Sequence, residues 1–123
     1  MRYARRAVDG GIEWIVDAHG CDPARLRDRE TVCALLGRIV ADLDLRVLGQ
    51  PLVHVFDAPG GVTALYLLTE SHLCCHTYPE SGIATFNLYC CRERAPWPWA
   101  GALAEALGAE RVEVRSQRRG SAP

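Results

Sequence analysis

The chain has 123 residues, nearly half of them hydrophobic, and a formal net charge of −1 at neutral pH. This length and composition fit a single domain, 1–123, with a sizeable core. They disfavour nucleic acid as a partner, because Arg5-Arg6 and Arg118-Arg119 are short terminal clusters of the kind found in solvated tails. No apolar run reaches the roughly 18 residues of a membrane span, and the N-terminus lacks a signal-peptide core, so a soluble, cytoplasmic protein is expected.

The first half of the chain predicts a strand, a helix and a second strand region. Residues 12–19 predict a strand, and Asp22-Pro23 opens a turn. Asp28 is the predicted N-cap of a helix. The apolar residues of that helix recur on one face, at Val32, Leu35, Leu36, Ile39, Val40 and Leu43. Residues 45–48 and 52–56 predict one interrupted strand or two short ones.

The second half predicts more strands and one more helix. The strands are expected over residues 62–68, after Ser71, and over residues 83–91. The run 95–98 begins a helix that ends at Gly108. Val112 and Val114 predict an edge strand, and the tail 116–123 is expected to be disordered.

Strands outnumber helices in this pattern, which indicates an α+β fold. Two main helices can cover only one face of an antiparallel sheet, giving a two-layer sandwich. The predicted strands are apolar at nearly every position, so both faces of the sheet should be buried. A homodimer would cover the face that the helices leave open.

An even number of cysteines can indicate a metal site or a set of disulfides, and this chain has six: Cys21, Cys33, Cys74, Cys75, Cys90 and Cys91. Two adjacent pairs fall in predicted strands, where neighbouring side chains point to opposite faces and cannot bind one ion together. The C-x-x-C spacing of zinc sites is absent. No metal is expected, and the thiols should be reduced.

The chain has no lysine, since all fourteen basic residues are arginine. Pyridoxal phosphate enzymes hold their cofactor on a lysine, so this chain cannot be a conventional pyridoxal enzyme acting alone. An arginine bias across a whole proteome would also explain the missing lysine.

Residues 69–80, T-E-S-H-L-C-C-H-T-Y-P-E, are the most informative segment. The segment resembles the processing site of the prokaryotic S-adenosylmethionine decarboxylase proenzymes. The resemblance extends over roughly residues 11–115 and includes Gly20-Cys21-Asp22. It implies autocatalytic cleavage between Glu70 and Ser71, which makes a beta chain, 1–70, and an alpha chain, 71–123. Ser71 becomes a pyruvoyl cofactor that forms a Schiff base with the substrate.

The resemblance also assigns roles to individual residues. These are His76 and Thr63 in processing, Cys91 as the proton donor after carbon dioxide departs, Glu80 on the ribose hydroxyls, and Phe56 and Tyr78 near adenine. A thiol can donate a proton near neutral pH, and a carboxylate accepts two hydroxyl hydrogen bonds. Simpler interpretations stay open: Thr63 as an ordinary strand residue, Glu80 as a solvated turn residue, and Phe56 and Tyr78 as core aromatics.

The function implied is a self-processing lyase that decarboxylates S-adenosylmethionine for spermidine and polyamine biosynthesis. The family is dimeric, with active sites at the subunit interface. The same pyruvoyl chemistry acting on arginine or ornithine is the first alternative. A cleavage-dead regulatory partner subunit is the second.

The sequence departs from the family pattern in three ways. Asn87 stands where relatives typically have aspartate. The loop 56–61 is one residue longer than usual. The cysteines at 74, 75 and 90 replace residues that are more often aliphatic or threonine. The first two departures concern substrate recognition more than self-cleavage.

Overall fold

The computed structural model describes residues 10–69, 71–91 and 94–120, which form one six-stranded antiparallel sheet with helices on one face. The strands are β1 (Gly11–His19), β2 (Leu52–Val55), β3 (Val62–Leu67), β4 (His72–Tyr78), β5 (Ile83–Cys90) and β6 (Arg111–Arg119). Their order across the sheet is β2-β3-β4-β5-β1-β6. β1 is therefore a central strand, and β2 and β6 are the two edges.

The described residues contain a short helix, α1 (Pro23–Leu26), and two longer ones, α2 (Arg29–Asp42) and α3 (Trp99–Leu107). The two longer helices share one hydrophobic core with the sheet. Its helical members include Leu35, Leu36 and Ile39 from α2 and Trp99, Leu103 and Leu107 from α3. This confirms the predicted α+β architecture. None of the described helices combines the length and the apolar character needed to cross a bilayer.

The helix ends differ from the predicted signals in two respects. Helix α3 begins at Trp99, after the run 95–98 that was predicted to start it, and the N-cap of α2 makes a different hydrogen bond. Asp28 occupies the N-cap position of α2, but its carboxylate accepts a hydrogen bond from the Thr31 hydroxyl at 2.6 Å rather than from a backbone N–H. Asp22 does cap a backbone group, accepting from the Ala24 N–H at 3.0 Å. Gly108 ends α3 with φ +71°, a conformation that a residue without Cβ adopts at little cost.

The two faces of the sheet differ in burial. Along β3, Val62, Ala64 and Tyr66 point into the core, whereas Leu65 and Leu67 are 43% and 62% exposed. We call the second surface the open face. The paired strand positions place on it Glu13, Leu65, Leu67, His72, His76, Asn87, Tyr89 and Arg119. The helices cover only the opposite face, and the open face carries apolar residues that a single subunit leaves in water.

The expected disorder from residue 116 onward is wrong for residues 116–119. Strand β6 continues to Arg119, which pairs with Gly11 at the start of β1. Two ion pairs tie the strand to β1, Arg115 to Asp17 at 2.8 Å and Arg119 to Glu13 at 2.6 Å. The polar sequence of this segment suits an exposed edge strand whose order comes from backbone pairing. Residues 121–123 lie outside the described residues.

Candidate active site

Ser71 lies in the tight turn that joins β3 to β4. Leu68 and Ser71 exchange two backbone hydrogen bonds across this turn, at 3.0 and 3.4 Å. A further backbone bond, from the Thr69 N–H to the Arg46 carbonyl at 3.0 Å, ties the turn to the segment before β2. Ser71 is half-buried. Glu70, on the other side of the predicted cleavage point, lies outside the described residues.

A cavity of about 370 Å³ contains Ser71, and we call it the Ser71 cavity. Its described lining residues are Leu48, Leu67, Leu68, Thr69, Ser71, His72, Tyr89 and Cys91. Cys91 reaches this cavity because β5 ends beside the start of β4, where His72 pairs with Tyr89. The neighbouring Cys90 belongs to the hydrophobic core, as strand alternation predicted. The structure therefore brings together Ser71 and Cys91, two of the residues predicted to act in the reaction.

The Ser71 cavity fits the pyruvoyl group that the sequence implies. That group would be built from Ser71 itself, so it needs no other residue to hold it. A thiol, Cys91, lies in the same cavity and is a group able to supply a proton.

The predicted substrate-binding residues line a second cavity of about 630 Å³, which we call the Glu80 cavity. Glu80 lies in a one-turn 3₁₀ helix, Pro79–Ser81, directly after β4. Phe56, from the loop after β2, and Tyr78, at the end of β4, are both exposed beside it. Their exposure excludes the alternative that they are core aromatics within this subunit.

Thr63 and His76 also belong to the Glu80 cavity. They face each other on β3 and β4, and the Thr63 hydroxyl lies 3.0 Å from the His76 Nδ1 atom. This contact places the Thr63 hydroxyl beside the imidazole with which it was predicted to act. A hydroxyl paired with an imidazole can hold or transfer a proton.

The loop that carries Phe56 is held against β4 by a buried threonine and a close backbone approach. The Thr77 hydroxyl donates to the Leu26 carbonyl at 2.7 Å and accepts from the Val62 N–H at 2.9 Å. At Gly61, a Cβ atom would stand 2.5 Å from the Thr77 carbonyl oxygen, so a larger residue would push this loop away. These contacts fix one wall of the Glu80 cavity.

One subunit does not bring the two cavities together. Ser71 and His76 are five residues apart on an extended segment, which at about 3.3 Å per residue is roughly 16 Å. His76 therefore cannot contact Ser71 within the same subunit, although the sequence resemblance pairs them in processing.

A sequence model of a protein family described as S-adenosylmethionine decarboxylase matches residues 12–120 of this chain. The chain belongs to the S-adenosylmethionine decarboxylase family. It is similar to the S-adenosylmethionine decarboxylase proenzyme of Parasynechococcus marenigrum, with 39% identity over 89% of this chain and 84% of that protein. The corresponding proenzyme of Anoxybacillus flavithermus is 34% identical over 92% and 90%. The prediction of a prokaryotic proenzyme family is thereby confirmed.

The fold agrees with that membership. The crystal structure of the adenosylmethionine decarboxylase from Aquifex aeolicus superimposes with a TM-score of 0.77 and 25% sequence identity. The match covers 95% of this chain and 96% of the other. The chain is thus an enzyme of the adenosylmethionine decarboxylase family along nearly its whole length.

A polar network beside Ser71 is a feature of this chain that the sequence did not reveal. His72 Nε2 lies 2.8 Å from Asn87 Oδ1, and the Asn87 amide donates to Glu13 at 2.7 Å. Arg119 donates to the other Glu13 oxygen at 2.6 Å. The hydrogen bonds from Asn87 and Arg119 hold the pKa of the Glu13 carboxyl below its usual range. Sequence reasoning did not single out Glu13, because its contacts depend on the strand order of the sheet.

Cys74 and Cys75 are placed as strand alternation predicted. Cys75 is fully buried on the core side and Cys74 is half-buried on the other face. Burial raises the pKa of both thiols, so they are poorer nucleophiles than an exposed thiol. Among residues 10–69, 71–91 and 94–120, no three His, Cys, Asp or Glu side chains are grouped to hold a metal ion.

Proposed function

We propose that this chain cuts itself between Glu70 and Ser71 and becomes a pyruvoyl-dependent decarboxylase of S-adenosylmethionine. The observation that carries the proposal is the shared cavity of Ser71 and Cys91 in a chain of this family. The pyruvoyl group supplies a ketone that binds a primary amine and accepts electrons as carbon dioxide leaves. The chain has no lysine to do this through pyridoxal phosphate.

Self-cleavage begins at the Ser71 hydroxyl. Its Oγ attacks the Glu70 carbonyl carbon, and the amide becomes an ester. Loss of the Cα proton of residue 71 and departure of the new Glu70 carboxylate leave dehydroalanine. Water then converts dehydroalanine to the pyruvoyl group and ammonia. His76 accepts the Cα proton, and the hydroxyl of Thr63 orients the imidazole through their 3.0 Å contact.

Because His76 lies roughly 16 Å from Ser71 along its own strand, a second copy of the chain has to supply it. We propose a homodimer in which the open faces of two subunits meet. Leu52, Leu65 and Leu67 are exposed on that face by 70%, 43% and 62%, which is the apolar area such a contact would bury. In this arrangement the Glu80 cavity of one subunit completes the Ser71 cavity of the other.

In the mature enzyme, Glu80 accepts hydrogen bonds from the two ribose hydroxyls, and Phe56 and Tyr78 stack on adenine. Phe56 and Tyr78 are exposed at the Glu80 cavity, as a stacking role requires. Cys91 returns a proton to the substrate carbon after carbon dioxide leaves. The product would supply aminopropyl groups for spermidine and other polyamines. The enzyme would act in the cytoplasm, where reducing conditions keep the Cys91 thiol available.

The test combines the intact mass of the purified protein with release of labelled carbon dioxide from three carboxyl-labelled substrates. We expect fragments 1–70 and 71–123, and release from S-adenosylmethionine only. The Ser71→Ala variant should remain one chain and release nothing. Release of labelled carbon dioxide from arginine or ornithine instead would show that the same pyruvoyl chemistry acts on that amino acid. An uncut, inactive wild-type chain would support the partner-subunit alternative.

Glu80→Gln separates the nucleoside substrate from the amino acid substrates. The amide keeps the size of the side chain but loses one strong acceptor, so the KM for S-adenosylmethionine should rise while self-cleavage stays intact. An unchanged KM would remove Glu80 from the ribose site.

A further inference from the structure

The network beside Ser71 crosses four strands of the open face. It runs from His72 on β4 to Asn87 on β5, Glu13 on β1 and Arg119 on β6. Each contact is between 2.6 and 2.8 Å. His72 is at one end of this chain of hydrogen bonds, and it is also a lining residue of the Ser71 cavity.

The donors and acceptors of the network can be arranged in only one way. A guanidinium only donates and an ionised carboxylate only accepts, so Arg119 and Glu13 have fixed roles. Glu13 is ionised near neutral pH, since its neighbours lower the pKa of its carboxyl. Asn87 must then turn its NH₂ group toward Glu13, because the flipped amide would place two acceptors 2.7 Å apart. Its carbonyl oxygen faces His72, whose Nε2 atom has to carry the proton.

We propose that His72 carries the hydroxyl proton of Ser71 during self-cleavage, and that Asn87, Glu13 and Arg119 are positioning residues that fix the imidazole for this task. With the proton on Nε2, the lone pair of the neutral ring is on Nδ1. Nδ1 takes the proton as Ser71 Oγ bonds to the Glu70 carbonyl carbon. The same proton passes to the amide nitrogen of residue 71 as the carbon–nitrogen bond breaks. The inference rests on the proposed self-cleavage and adds its first proton acceptor.

Two features of the cavity support this assignment. Among the described residues that line it, His72 is the only imidazole, the side-chain type that exchanges protons near neutral pH. Its backbone also follows Ser71 directly, so the ring stays with the serine throughout the reaction. The His76 of the same subunit belongs to the Glu80 cavity, and the His76 that a second copy supplies has the later step, removal of the Cα proton.

The network also explains why asparagine at position 87 suits this chain. An aspartate there would face Glu13 with a second carboxylate, and one of the two would have to take a proton or turn away. Asparagine donates to Glu13 and accepts from His72 at the same time.

The groups that influence proton transfer at His72 come from every strand around it. Among the described residues, the titratable or charged side chains near it are Tyr89 on β5, Glu13 on β1, Arg119 on β6, Cys74 on β4 and Cys91 after β5. The Tyr89 ring lies 5.8 Å from the His72 ring, and Arg119 lies 5.9 Å above Tyr89. On the β3 side the paired residue is Leu67, which carries no charge.

The first test reads the tautomer directly, without any activity. Long-range ¹H–¹⁵N NMR spectra of the uncut Ser71→Ala chain distinguish the four histidines, and the signals lost in a His72→Gln version of it belong to His72. We expect the neutral ring to carry its proton on Nε2. In Asn87→Ala the ring should sample both tautomers. A proton on Nδ1 in the starting protein would overturn the network.

The second test measures the rate of self-cleavage. His72→Gln should slow it at least about 10²-fold, the low end of what acid–base groups contribute. His19→Gln is the matched control, since His19 lies on the same face at the far end of β1 and contacts Glu113. An unchanged rate in His72→Gln would overturn the proposal.

A pair of variants separates positioning from simple structural support. Asn87→Asp should slow cleavage by placing a carboxylate against Glu13. The double variant Asn87→Asp/Glu13→Gln restores every donor and acceptor but moves the negative charge next to His72. We expect cleavage to recover, with the acid limb of its pH–rate profile moved to higher pH, because an adjacent carboxylate favours the imidazolium. If the cleavage rate recovers but the pH–rate profile does not move, the network has only a structural role.

The two proposals fail in different ways. A wild-type chain that never cuts would refute the proposed function, and the NMR result on the uncut chain would still test the network. Normal self-cleavage of the His72→Gln variant would refute only this inference.

Discussion

Replacing Thr77 by valine is expected to destabilise the fold through two buried backbone groups. The Thr77 hydroxyl donates to the Leu26 carbonyl and accepts from the Val62 N–H, at 2.7 and 2.9 Å. Leu26 and Val62 are both almost fully buried. Valine has nearly the same shape as threonine, so the substitution removes the two hydrogen bonds without opening a large cavity.

Each buried polar group left without a partner costs about 1–3 kcal/mol. With two such groups, the free energy of unfolding should fall by roughly 2–4 kcal/mol, because water that reaches one of the groups reduces its cost. For a domain of this size, that corresponds to a fall in Tm of roughly 10 °C. The effect should appear as a lower urea midpoint with an unchanged slope, because the surface exposed on unfolding is the same.

The measurement is best made in the Ser71→Ala background, so that every sample is one uncut chain at the same protomer concentration. Thr31→Val is the matched control. It removes a hydroxyl whose one described hydrogen bond, to Asp28, is exposed to solvent. The free energy of unfolding should therefore fall by less than about 1 kcal/mol. Equal losses in the two variants would refute the reasoning about Thr77, as would a loss below about 1 kcal/mol at Thr77 itself.

Three further predictions concern the site and its network. Cys91→Ser should lower kcat by about 10²-fold while Cys90→Ser keeps it, because a hydroxyl is a poorer acid than a thiol; equal losses would contradict the role of Cys91. Thr63→Val should slow self-cleavage by roughly 10²-fold, with recovery in Thr63→Ser, as followed by gel densitometry; no recovery would point to packing instead. Arg119→Gln should lower the free energy of unfolding at pH 7, and this loss should shrink as the pH falls below 4.5. The pKa of Glu13 is lowered in the folded state, so its pairing stabilises the fold fully above the usual pKa of 4.5, and this stabilisation is lost as the pH falls through the lowered pKa. A loss that grows as the pH falls below 4.5 would contradict this sign.

Local pattern was enough to predict most of the fold. Alternation and turn residues located the strands, and the spacing of apolar residues located α2 within two residues. Residues 45–48 were predicted as strand but make only an isolated bridge, between Val47 and Leu68, and α3 begins at Trp99 rather than within 95–98. The largest exception was the end of the chain, where 116–119 form the end of β6. Its polar residues carry no hydrophobic signal, and its order comes from pairing with β1 at the other end of the sequence.

The candidate site was predicted only in part. The resemblance to the decarboxylase proenzymes assigned Ser71, His76 and Cys91 to the site, but their spacing in sequence gives no distance in space. The extended conformation of β4 separates Ser71 from His76, whereas β5 brings Cys91 back beside Ser71. Glu13 and Arg119 were missed because β1 and β6 become neighbours through the strand order, which no local pattern encodes.

The most direct test of the central claim is a denaturing mass spectrum after incubation with S-adenosylmethionine, ornithine and arginine together, followed by borohydride reduction. The account predicts two fragments split between Glu70 and Ser71. It also predicts a reduced adduct, on the 71–123 fragment alone, whose mass corresponds to S-adenosylmethionine or its decarboxylated product. A single uncut chain without an adduct would contradict the account.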